Sequence, residues 1–272
     1  MTSASLGPLS IGNVVSAAFS LYKSQFKTFL KLAGFGVLWS LVPVYGWAKS
    51  AMYQGLIARL AFGYLSNQPE TVDEARAAVA EKLWYFLVVQ ILVGLIVGGT
   101  YFAAILLMAI VLIPTGIVLN GALGNAGIGI TVVLGIVAVL GLILGLTWLY
   151  GRLLIPEVPL AVEKELQDPT AAVGRSWALT KTSALRVMAV TFVAGLLVTP
   201  INAAAQVVPR IMLAITPEDS PALFLWLVVL MALVLLASVA VIPFWQSVKA
   251  AVYYDLRARR EGLDIQLRDR PM

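Results

Sequence analysis

The sequence predicts an all-α polytopic membrane bundle of about six transmembrane helices, joined by amphipathic surface helices. Three observations predict it. Of 272 residues, 60% are hydrophobic and 12% are charged, whereas soluble domains are nearer half apolar and a quarter charged. Apolar runs approaching or exceeding the ~20 residues needed to cross ~30 Å of hydrocarbon recur along the chain. When six spans are threaded, 17 of the 19 Lys and Arg fall on one face, leaving Lys49 and Arg210 on the other. That is the asymmetry of the positive-inside rule. The mean hydropathy is +0.92. Residues 1–272 read as a single membrane domain, with no block resembling a separate soluble unit.

Taken in order, the opening residues lack a basic start followed by an apolar run and a small-residue cleavage site, so no signal peptide is expected. Residues 10–27 read as an amphipathic helix. Ile11, Val14, Val15, Ala18, Phe19, Tyr22 and Phe26 recur at helical spacing, and Ser10 suits an N-cap. Such a helix lies on the membrane surface or packs beneath the spans. The spans follow near 29–47, 50–65, 84–113, 127–155, 185–208 and 222–242. The second is short and carries Arg59, whose guanidinium is expected to snorkel. Pro114-Thr115-Gly116 and Asn120-Gly121 interrupt the run after the third. Pro156 and Pro159 end the fourth, and Pro200 kinks the fifth. Residues 244–260 continue as a helical tail. An even number of spans puts both termini on the same, cytoplasmic side of the cell inner membrane, or of an internal membrane such as a thylakoid where the host has one.

Three segments share one grammar: a cap residue, then a small-residue amphipathic helix, then a hairpin of spans. They begin at Ser10, Thr71 and Asp168. Two readings stand, three copies of helix plus hairpin about a pseudo-threefold axis or three unrelated helix starts.

The composition excludes much chemistry. The chain has neither Cys nor His, so it offers no thiolate or imidazole for a metal or haem and no Ser-His or Cys-His base. No cofactor, metal or catalytic residue is expected. Four groups of residues remain as candidates. Arg152 closes the fourth span, and Glu157 and Glu163 follow the double-proline elbow, so an ion pair across the elbow is expected. Asn202, Gln206 and Arg210 fall at i, i+4, i+8 on one face of the fifth span. That polar stripe lines a pathway or bonds between helices. Gly94/Gly98 and Gly141/Gly145 form GxxxG pairs that permit close packing of spans three and four, or dimerisation. Lys249, Arg257, Arg259 and Arg260 in the tail are expected to anchor to anionic lipid headgroups. The cations are spread along the membrane face among Asp and Glu, which argues against nucleic acid as a partner.

Several stretches resemble a known family. They are Ser10-Ile11-Gly12-Asn13-Val14, Val72-Asp73-Glu74-Ala75, Val173-Gly174-Arg175-Ser176-Trp177 with the preceding elbow, and Ala251-Val252-Tyr253-Tyr254-Asp255-Leu256-Arg257 with Arg260-Glu261-Gly262-Leu263-Asp264. Together they resemble the membrane-domain family of glycerophosphoryl diester phosphodiesterases, which includes six-span bacterial and archaeal proteins without the catalytic barrel. In the enzymes, hydrolysis belongs to that soluble barrel and its His and carboxylates. The resemblance therefore implies the non-catalytic part.

Two functions are expected from these residues. The first is a non-enzymatic scaffold or assembly factor that organises its membrane and self-associates or binds other membrane proteins. The alternative is a passive transporter or channel for a small solute, anion or lipid. The 14 acids lie outside the spans or at their ends, which argues against proton coupling.

Overall fold

The computed structural model describes residues 9–263; Asp264, and Arg268 and Arg270 among the 17 cations assigned to one face, lie outside them. The described chain is all α. Its helices are α1 (Ile11–Ser24), α2 (Phe26–Ser40), α3 (Tyr45–Leu65), α4 (Val72–Ala80), α5 (Leu83–Leu123), α6 (Asn125–Arg152), α7 (Glu157–Val162), α8 (Pro169–Thr180), α9 (Ala184–Ile215) and α10 (Ala222–Glu261).

Helix starts follow the cap chemistry of the sequence. The Ser10 hydroxyl accepts from the Asn13 N–H at 3.2 Å. Thr71 and Glu74 form a reciprocal capping box. Asp168 accepts from the Thr170 N–H at 2.9 Å, with Pro169 as the first helical residue. These caps open α1, α4 and α8, and each of those helices leads into a hairpin: α2–α3, α5–α6 and α9–α10.

The four helices long and apolar enough to cross a membrane are those of the last two hairpins. Three of them, α5, α9 and α10, run further than the sequence suggests, while α6 ends at Arg152, short of the expected 155. Pro114 lies inside α5, Pro200 and Pro209 inside α9, and Pro243 inside α10. Away from water, neighbouring side chains re-satisfy the carbonyls freed by proline, so the helix continues. Pro114 frees the Ile110 carbonyl, and in the same turn the Thr115 hydroxyl donates one residue on, to the Val111 carbonyl, at 2.6 Å. The real break comes at Gly124, which takes φ 54°, a conformation that suits glycine. There Gly127 lets α6 turn back tightly, since a Cβ on it would collide with the Leu119 carbonyl. The tail expected at 244–260 is the second half of α10 and one continuous helix with the span before it.

The first hairpin behaves differently. With 15 residues, α2 is about 22 Å long, short of the hydrocarbon thickness. α3 is the helix most deeply wrapped by its neighbours, with Ala48, Leu56, Ile57, Ala58 and Ala61 fully buried. It runs beside the inner half of α10 in the same direction. Gln54 meets Gln246, and Phe62 meets Tyr253 and Tyr254. Tyr45, at the hairpin tip, lies nine residues before Gln54, whereas Ala222 lies twenty-four before Gln246. The tip therefore stands opposite about Ala237, some fifteen residues short of the outer end of α10. Its ring sits 6.3 Å from that of Trp84, in the first turn of α5. A hairpin spanning beside α5 would hold Tyr45 far from that end. Six spans were expected because α2 and α3 are apolar. Much of that apolarity instead packs inside the protein, and four helices are both long and apolar enough for a crossing.

Around α3 and the inner half of α10 pack α1, α2, α4, α7 and α8. Residues of all seven elements join one apolar core with Phe29, Phe86, Leu160, Leu179 and Val187. The α5–α6 and α9–α10 hairpins leave this core with large apolar side chains exposed along their length. They are rooted in a layer of charge.

Candidate functional site

That charged layer is organised around the double-proline elbow. Pro156 and Pro159 turn the chain into α7, one and a half turns long, with Val158, Leu160 and Ala161 buried. So short a helix leaves its end carbonyls unpaired, and cations from other elements take them. The Lys82 ammonium donates to the carbonyls of Leu160, Glu163 and Leu166 at 3.0, 2.8 and 2.8 Å. Burial, and then the neighbouring Arg59 charge, hold its pKa below the ordinary lysine value. Arg59 grips Glu70 with both arms of its fork, at 2.7 and 2.8 Å, and gives its remaining arm to the Ala161 carbonyl at 2.6 Å. The guanidinium expected to snorkel thus staples α3 to α7.

Glu157 and Glu163 are both paired, and neither pairs with Arg152. The Glu157 carboxylate meets the Lys249 ammonium at 2.6 Å, both groups largely buried. Glu163 accepts from the Arg175 guanidinium at 3.0 Å and the Tyr253 hydroxyl at 2.5 Å. Arg175 reaches on to Glu261 at 2.6 Å, and Arg257 meets that same carboxylate at 2.7 Å. The elbow turns Glu157 and Glu163 toward α10 and α8, away from the end of α6. That is why the expected ion pair is replaced by longer-range ones.

A second cluster surrounds Asp255. Its carboxylate accepts from the Leu9 N–H at 2.8 Å and from Arg186 and Arg259 at 3.0 and 3.1 Å. Both arginines also donate to the Leu9 carbonyl. This cluster ties the chain before α1 to the start of α9 and the end of α10. The tail residues expected to face lipid headgroups are therefore mostly committed inside the protein. Lys249 holds Glu157, Arg257 holds Glu261 and Arg259 holds Asp255. The exposed Arg260 donates to the Ala178 carbonyl at 2.5 Å and the Thr182 hydroxyl at 2.8 Å. Tyr253 and Tyr254 at its centre are fully buried, which a headgroup anchor would not be.

The remaining candidates lie outside this layer. Gly94, Gly98, Gly141 and Gly145 face open space, with nothing within 4 Å of a Cβ built on any of them. The close approach of α5 and α6 occurs instead nearer the hairpin tip, at Gly116 against Thr131 and Gly127 against Leu119. The expected GxxxG packing of these two helices is thus displaced outward, because they diverge from their shared tip.

On α9, a buried seam of Val190, Ala194, Val198, Ala205 and Pro209 packs inward. Asn202 falls in the register of that seam yet stays half-exposed beside half-exposed Gln206, and Arg210 is exposed. Arg210 donates to the Gln206 amide oxygen at 2.6 Å. No other hydrogen bond or ion pair reaches these three side chains among the described residues. An open apolar groove of about 560 Å³ runs between α5 and α6, lined by Leu112, Ile117, Asn120, Ile128 and Val132 among others.

No family model, curated protein or solved structure matches the chain.

Proposed function

We propose that this is a non-enzymatic integral membrane protein that organises its membrane by self-association, copies meeting along the outer half of α9. The observation that carries the reading is the Asn202–Gln206–Arg210 stripe. It stands about 24 to 36 Å along α9 from Arg186 in the charged layer, so its inner members lie within the hydrocarbon. A lone amide there has no water to bond, and leaving it unpaired costs several kcal/mol. A second copy related by a two-fold axis brings the same residues opposite one another. Asn and Gln bonds between membrane helices contribute about 0.6 to 2 kcal/mol each. The open Gly94/Gly98 and Gly141/Gly145 faces offer further flat surface for close helix approach. A chain without His or Cys has no imidazole or thiolate to act as base, nucleophile or metal ligand, which supports a role other than catalysis.

In this reading four helices cross the membrane and the α2–α3 hairpin enters it as a half-depth apolar wedge. The three helix-plus-hairpin units remain, the first with a shortened hairpin. Both termini then lie on the charged face, which the excess of Lys and Arg makes cytoplasmic, and the host membrane is the cell inner membrane.

The test is the mass of the protein released from membranes in native-lipid discs. The wild type is expected as assemblies of at least two 29.1 kDa chains. Asn202→Leu combined with Gln206→Leu should shift it to single chains of unchanged helix content. Wild-type protein found only as single chains would refute self-association.

A further inference from the structure

Within the described residues, two arginines keep a buried Nε with no acceptor, Arg76 and Arg152. Arg152 is the more enclosed, at 3% exposure. Its guanidinium lies over the Trp177 ring at 4.2 Å from the centroid and near that of Trp148 at 5.7 Å. The two indoles meet edge to face, 5.7 Å apart. No carboxylate lies within bridging distance of it among the described residues. Arg59, Arg175, Arg186, Lys249, Arg257 and Arg259 in the same layer each hold a carboxylate. The charge acting on Arg152 from nearby is another cation, Arg260, which spends its own donors on a carbonyl and a hydroxyl.

A buried guanidinium beside a second cation is a costly arrangement unless an anion completes it. Its depth says which anion. Arg152 ends α6, where the apolar hairpin gives way to the charged layer, and Trp148 and Trp177 are each about two-fifths exposed there. Indoles at that level mark the membrane–water boundary, where phospholipid phosphates lie. The planar fork of arginine matches two phosphate oxygens, and stacking on indole holds its plane.

We propose that Arg152, with Arg260 at its rim, binds a phosphate group, supplied either by an anionic phospholipid headgroup or by free phosphate. With a lipid as the source, its acyl chains descend along the exposed apolar face of α6.

The experiment uses the full chain in detergent and counts bound adducts by native mass spectrometry. Phosphatidylglycerol, phosphatidylcholine and inorganic phosphate are added in separate arms. Arg152→Gln should lower phosphate-group occupancy about tenfold or more, the usual weight of a charge-assisted pair. Arg152→Lys, which keeps the charge but loses the fork, should fall between. Lys23→Gln, an exposed cation on α1, should bind as the wild type does. Where Arg152→Gln fails to fold, Arg260→Gln on the exposed rim serves instead, with a several-fold loss expected. Arg152-dependent retention of phosphatidylglycerol supports the site with lipid as its source. Arg152-dependent binding of inorganic phosphate alone supports it with free phosphate as its source. Binding of all three that is indifferent to both arginines, or no binding at all, overturns the proposal.

Discussion

The Glu157–Lys249 pair shows how single residues hold this protein together. Both groups are largely removed from water at 2.6 Å. Removing one partner leaves the other's charge buried without compensation, which costs about 3 to 5 kcal/mol, whereas replacing both is nearly neutral. Glu157→Gln should therefore lower unfolding stability by about 3 kcal/mol or more. Adding Lys249→Met should restore most of it. Chemical unfolding in detergent across this double-mutant cycle checks the expectation, and additive losses would contradict it. The sequence makes Arg152 and Glu157 neighbours across the elbow and so suggests the wrong pair. The true partner of Glu157 is 92 residues away, and only the packing of α10 against α7 makes that visible. Residues whose partners are local were legible. Asp168 caps α8, as its place at the head of that segment suggests, the Thr170 hydroxyl donating at 2.6 Å and its N–H at 2.9 Å. Those two bonds lower the Asp168 pKa below its ordinary value. A depressed folded pKa means the cap's stabilisation is complete above the unfolded carboxylate range, near ~3.9. It is lost as pH falls through the folded value. Asp168→Ala should thus melt below the wild type at neutral pH, and the gap should close in acid. A gap that persists at a pH below both values would rule out this source of stability.

Among the elements, the α2–α3 hairpin departs furthest from the sequence reading. Apolar content alone cannot distinguish a helix facing lipid from one buried in protein, and α3 is buried on nearly all sides. The proline-bearing helices went the other way. Pro114, Pro209 and Pro243 are stop signals in water, but here they sit inside α5, α9 and α10, as does Pro200, which was expected inside its span. Depth separates the two hairpin types experimentally. A cysteine at Val44, on the α2–α3 tip, should react poorly with a membrane-impermeant maleimide added from either side. Cysteines at Gly124 and Asp219, on the tips of the long hairpins, should react fully from the outer side. Equal outer-side labelling of all three positions would show that α2 and α3 cross the membrane after all.

The whole molecule combines a dense, charge-stapled core on one face with two long hairpins that leave their apolar sides open. The core uses most of its charges internally, and the hairpins carry one polar stripe with no partner of their own. The sequence revealed that stripe by its i, i+4, i+8 spacing, and the structure leaves Asn202 and Gln206 half-exposed at the edge of the packed seam of α9, with Arg210 exposed. Its interpretation as the contact between copies is the central claim. Because the chain has no native cysteine, a single introduced thiol reports without background. The most direct test is oxidative cross-linking of Asn202→Cys in intact membranes, before any detergent is added. Leu197→Cys, exposed on a different face of α9, serves as the control. The account predicts a covalent dimer from position 202 and little from position 197. No dimer from position 202, or equal dimer from both positions, would contradict it.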